Sequence, residues 1–133
     1  MARPEGKLTP AQYEIMELVW NAGDSGATIG ELWESIARRR DVLRTTVQNL
    51  VERLEKRHWL KRSKGRGGYR YGATTGRVET ARALAEDFVD EFFAGSASEM
   101  VMSLFGSKRL TREELARLRE LVDARLANKK PKP

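Results

Sequence analysis

The polar residues whose types and spacing could do chemistry are concentrated in one stretch. Thr45, Thr46, Gln48, Asn49, Arg53 and Lys56 interleave with Val47, Leu50, Val51 and Leu54, and those four apolar residues recur at i, i+3, i+4, i+7, the period of an amphipathic helix. If they face inward, the 100° helical step places Thr45, Asn49 and Lys56 on the opposite side, flanked by Thr46, Gln48 and Arg53. No nucleophile is paired with a base here. The set instead matches the edges of DNA bases: Gln and Asn pair bidentately with adenine, Thr hydrogen-bonds or touches a thymine methyl, and Arg binds guanine or phosphate. Arg44 to Asn49 forms the N-terminal end, where a recognition helix meets bases and where the helix dipole also favours phosphate. Downstream, Lys61, Arg62, Lys64, Arg66 and Arg70 crowd into ten residues without an acid. Such self-repulsion brings no stability, so a polyanion is the expected partner.

Other chemistries are poorly supplied. The 133 residues contain no cysteine and one histidine, His58, which leaves no disulfide framework, thiolate or multi-histidine metal site, or catalytic thiol. Neither a metal nor a cofactor is expected. Paired catalytic groups and a phosphate loop are also missing, so an enzyme is the weakest reading. One third of the chain is charged, no 18-residue apolar run occurs, and Met1–Lys7 lacks an apolar segment; a soluble, cytoplasmic protein is expected. The formal net charge of +6 is unevenly placed. Arg38 to Arg70 holds twelve basic residues against Asp41, Glu52 and Glu55, whereas Arg77 to Glu99 holds six acids against two arginines.

The elements needed to present the basic face are legible. Thr9-Pro10-Ala11-Gln12 and Thr28-Ile29-Gly30-Glu31 are capping boxes that open a first and a second helix, and Thr111-Arg112-Glu113-Glu114 opens a sixth. The third helix runs from about Leu43 to Arg57, with Asp41 the nearest cap. Trp59 to Ser63 and Tyr69 to Ala73, separated by a glycine cluster, read as a β-hairpin. A fourth helix from about Arg77 to Ala94 carries Val78, Ala81, Ala85, Phe88, Val89 and Phe92 on one face, and Ser96 opens a short fifth. Trp20, Trp33 and Trp59 read as core or junction packing, with base-stacking platforms as the alternative. His58 reads as a bystander at a helix end.

The predicted fold is mainly α with a small β-hairpin wing: an N-terminal winged helix-turn-helix over residues 8–75, a C-terminal helical dimerisation segment over 76–127, and flexible tails at 1–7 and 128–133. Dimerisation follows from the apolar load. Phe88, Phe92, Met100, Val101, Leu104, Phe105, Leu115, Leu118 and Val122 lie in a helical stretch shorter than the about 60 residues that bury a core poorly even when compact. A twofold-related copy would cover them, the alternative being packing onto the winged helix. The candidate contacts to double-stranded DNA are Arg44, Thr45, Thr46, Gln48, Asn49, Arg53, Lys64, Arg66 and Arg70. Three functions remain open on the residues alone: a sequence-specific regulator, a nonspecific architectural DNA protein, and a protein-interaction winged helix.

Leu8-Thr9-Pro10-Ala11-Gln12-Tyr13-Glu14-Ile15-Met16 with Trp20, Thr45 to Lys56, Tyr69-Arg70-Tyr71 and Phe93-Ala94-Gly95-Ser96 together resemble the penicillinase-repressor (BlaI/MecI/CopY) family, from about Leu8 to Leu126. The resemblance implies a homodimeric winged-helix repressor on inverted-repeat operators. By position it implies operator contacts from Thr46 and Gln48 with their neighbours Arg44, Thr45 and Asn49, and wing roles for Arg66 and Arg70. The family's copper-responsive branch uses C-terminal cysteines, which this chain lacks. Its β-lactam-responsive branch is inactivated through a membrane sensor protease pathway that cuts an Asn-Phe bond. An ungapped alignment places Ser103-Leu104 at that bond, and Leu104-Phe105 follows; neither is Asn-Phe.

Overall fold

The computed structural model describes residues 3–128, which form two compact units that meet between Leu84 and Ala85. The first contains α1 (Pro10–Ala22), a 3₁₀ turn (Gly23–Ser25), α2 (Ile29–Ala37), α3 (Arg44–Lys56) and an antiparallel hairpin of β1 (Leu60–Gly65) and β2 (Gly68–Ala73). Helix α4 (Arg77–Phe92) begins in the first unit and ends in the second, which also holds α5 (Ala97–Ser103) and α6 (Arg112–Ala127). The division falls inside α4.

Local chemistry starts α1 and α2. Thr9 Oγ1 accepts from the Gln12 amide at 3.2 Å while Gln12 Oε1 accepts from the Thr9 amide at 3.0 Å, and Thr28 and Glu31 repeat the exchange at 3.1 and 3.0 Å. These reciprocal bonds satisfy amides that a helix start leaves without partners. Helix α3 departs from expectation. Leu43, not Asp41, occupies its N-cap in extended conformation and supplies no side-chain cap.

The core of the first unit is built from Ile15, Met16 and Val19 of α1, Leu32 and Ile36 of α2, Val47, Val51 and Leu54 of α3, and Leu60 and Tyr71 of the hairpin. Leu50, expected inside, is only half-buried. Each tryptophan pins a neighbouring segment, as packing requires: the indole N–H groups of Trp20, Trp33 and Trp59 donate to the carbonyls of Thr75, Val42 and Glu5 at 2.9, 2.9 and 3.0 Å. The hairpin gains a third backbone partner, because Ala27 and Tyr71 exchange N–H···O bonds of 3.0 and 2.8 Å. Gly26, at φ +68, permits this approach; a Cβ there would lie 2.6 Å from the Tyr71 carbonyl oxygen.

Helix α3 ends in a Schellman arrangement, with the His58 amide donating to Glu55 and the Trp59 amide to Leu54. His58 itself sits at φ +66, a region that costs a side-chain-bearing residue about 1–2 kcal/mol. Glycine removes that strain and adds some unfolded-state entropy. His58→Gly is therefore expected to stabilise the protein by about 0.5–1 kcal/mol, read as a higher urea midpoint at unchanged slope; a lower midpoint would contradict the strain.

In the second unit, Ser96 and Thr111 cap α5 and α6 by accepting from the Glu99 and Glu114 amides. Its apolar residues remain in the open. Among the described residues α5 and α6 bury none, and of the apolar face expected on α4 only Val89 is buried. The Phe88 ring packs at a tilt against Phe92 and Phe93, with centroids 4.8 and 5.9 Å away, yet Phe92 is 65% exposed.

Candidate nucleic-acid interface

Because Val47, Val51 and Leu54 are fully buried, α3 cannot roll, and its opposite face is presented at a fixed angle. Arg44, Thr45, Thr46, Gln48, Asn49, Arg53 and Lys56 are all exposed on it. Thr46, Asn49 and Arg53 line one shallow hollow; Asn49, Arg53 and Lys56 line the next with Glu52. Gln48 Nε2 donates to Glu52 Oε2 at 3.1 Å, so its carboxamide is pre-oriented by an acid one turn on. Arg44 lies over Gly30 of α2, where a Cβ would come within 3.2 Å of the guanidinium. Leu43 belongs to the same surface although its residue type gave no signal: it stands at the start of α3, 71% exposed, beside Arg44 and Thr45.

The wing divides its cations. Lys64 and Arg66 are exposed near the turn and, among the described residues, neither they nor Arg44, Arg53 and Lys56 have a carboxylate within ion-pair distance. Arg62 lies 3.6 Å from Glu55 of α3 and 4.3 Å over the Tyr69 ring, which ties β1 to α3. Tyr71 faces the core, leaving Tyr69 as the exposed wing tyrosine. Arg70, expected as a DNA contact, has its guanidinium engaged by Ser25, Gly26, Glu31 and Arg66. The arginine run after α2 is also partly matched. Arg39 and Arg40 both bind Glu14 at 2.8 Å, and the hydrogen bond from Arg40, helped by both positive charges, holds that carboxyl below its ordinary pKa.

No group of three or more metal-ligating side chains occurs among the described residues, and no described helix is long and apolar enough to cross a membrane. Ser103 closes α5 with its hydroxyl donating to the Met100 carbonyl, and Leu104 follows as the C-cap, its amide donating to Val101.

The Penicillinase repressor family model matches residues 8–124, from the start of α1 into α6. The chain belongs to the penicillinase-repressor family. It is accordingly a DNA-binding transcriptional regulator and not an enzyme. Two curated relatives are similar along nearly their whole lengths. A penicillinase repressor of Staphylococcus aureus is 22% identical over 92% of this chain and 96% of the relative, and one of Bacillus licheniformis is 20% identical over 93% and 95%. Among solved structures, MepR, a transcription regulator of the S. aureus multidrug efflux pump MepA, superposes with a TM-score of 0.53 at 19% identity, covering 93% of this chain and 82% of MepR. A point mutant of MepR bound to an oligodeoxyribonucleotide gives 0.50 at 19% identity over 92% and 80%. At this identity the likeness is one of winged-helix fold. This penicillinase-repressor relative keeps that fold while placing a leucine at the N-cap of α3 and a histidine in the left-handed turn that follows it.

Proposed function

We propose that the protein is a homodimeric repressor that reads an inverted-repeat operator through α3 and grips the flanking phosphates through its wing, until an inducing signal releases it. The observation that carries this reading is the polar face of α3, seated on a buried apolar scaffold with its cations unpaired by internal acids. Thr45, Thr46, Gln48, Asn49 and Arg53 supply base-edge chemistry, Leu43 offers an apolar surface suited to a thymine methyl, and Arg44, Lys64 and Arg66 supply phosphate contacts. Capture of a MepR variant on DNA supports the use of this fold for duplex binding. The exposed apolar residues of α4 to α6 support a second copy as their cover. The family's copper route and its Asn-Phe cleavage form no part of this proposal, since cysteine is absent and Ser103-Leu104 stands at the aligned bond.

The test is competition between selected operator and random duplex at controlled salt. Lys64→Ala and Arg66→Ala are expected to weaken binding to both and to reduce the salt slope by about one unit each. Equal affinity of the unmodified protein for both duplexes would favour an architectural role. No duplex binding at low salt would favour a protein-interaction module.

A further inference from the structure

We propose that Arg70 is a positioning residue, which holds the wing in its docking geometry, and that it is not itself a DNA contact. The proposal rests on the reading of α3 and the wing as the DNA-binding surface. Arg70 Nε donates to the Ser25 carbonyl at 2.8 Å, Nη1 to the Arg66 carbonyl at 2.6 Å, and Nη2 to Glu31 Oε1 at 2.8 Å and to the Gly26 carbonyl at 3.3 Å. A guanidinium has five N–H donors, so these bonds leave at most one for an outside ligand. Bidentate capture of a phosphate needs two parallel donors. The Arg70 side chain is only 18% exposed, whereas its partner Glu31 is 55% exposed.

The four acceptors come from three parts of the chain that sequence separates: the 3₁₀ turn and the glycine after it, the first turn of α2, and the turn of the wing. A two-stranded hairpin is marginal in water without outside support, and here only Leu60 and Tyr71 of the two strands are buried. The Ala27–Tyr71 bridge holds the middle of β2. Arg70 holds the turn by fixing the carbonyl of Arg66, the residue placed at the phosphates. Gly65 makes the path possible, because a Cβ on it would lie 2.7 Å from Arg70 Cδ. Glu31 Oε1 also accepts the Thr28 amide of the α2 capping box at 3.0 Å, so one carboxylate oxygen serves both the cap and the wing. Ordering the wing in the free protein removes that cost from the binding step.

Arg70→Lys, Arg70→Ala and Glu31→Gln separate positioning from contact. The lysine keeps the charge but cannot span four acceptors, and glutamine keeps the capping box while losing the ion pair. In DNA-free protein, amide exchange over Gly65–Gly72 is expected to accelerate about tenfold in both Arg70 variants and less in Glu31→Gln, with the exchange of α1 and α3 unchanged. Duplex affinity is expected to fall about tenfold in Arg70→Lys with its salt slope intact. Unchanged wing exchange in all three variants would overturn the proposal, as would a salt slope reduced by about one unit in Arg70→Ala with the wing still protected. Should the unmodified protein bind no duplex, the functional reading falls while the exchange measurement still decides whether Arg70 ties the wing.

Discussion

Val122→Glu is expected to leave the protein monomeric at micromolar concentration and to lower its affinity for a palindromic operator by at least about a hundredfold, the scale set by losing linked engagement of the second half-site. Val122 lies on α6 at 53% exposure, in company with Leu115 at 42% and Leu121 at 60%, while Phe92 and Phe105 are exposed at 65% and 57% in the same unit. So many exposed large apolar side chains in one short segment are unusual on a monomer, and covering them contributes about 25 cal/mol per Å². A carboxylate placed in such an interface costs several kcal/mol through desolvation (roughly 3–5 by analogy with unpaired buried charges). Because Val122 is exposed in the single chain, the substitution leaves the fold of the chain intact, which circular dichroism would verify. Sedimentation velocity then reads the association state. A monomeric unmodified protein would overturn the dimer, and a dimeric Val122→Glu variant would place its interface elsewhere.

Asn49→Ala is expected to cost about 2–3 kcal/mol on the operator and Gln48→Ala about 1–2, with affinity for random duplex unchanged. The two amides differ in what they give up. Asn49 is exposed on α3 with no hydrogen bond from its carboxamide among the described residues, so a base edge would be its first strong partner. Gln48 already donates to Glu52 at 3.1 Å; pairing with adenine exchanges that bond for another, and the net gain is smaller. Base preference should relax only at the positions each residue reads, as measured by affinity across single-base variants of the operator. Equal losses on operator and random duplex would mean that these side chains position the helix without reading it.

The parts of this molecule written in short-range rules were legible in advance. Thr9 with Gln12 and Thr28 with Glu31 are bonded within one turn, so their type and spacing suffice to start α1 and α2. The apolar period of Val47, Val51 and Leu54 selected the buried side of α3, and therefore the polar side left exposed. The start of α3 carries no such local signal: Asp41 is the nearest capping residue type, yet Leu43 takes the N-cap without a side-chain bond, and the Trp33 bond to the Val42 carbonyl helps fix where the chain turns.

The sequence by itself determined a winged helix, a basic polar helix face and an apolar C-terminal segment, because capping, periodicity and composition act within a few residues. What it could not decide was which of the clustered cations are engaged within the fold. Arg39 and Arg40 meet Glu14, Arg62 meets Glu55, and Arg70 meets Glu31; Arg70 and Glu31 stand 39 residues apart in sequence. Charge counting treats every arginine alike, whereas a guanidinium is available to a phosphate only if its donors are not already engaged. That distinction exists only once α1, α2, α3 and the hairpin have closed on a common core, since closure brings the distant carboxylates and carbonyls within hydrogen-bond reach.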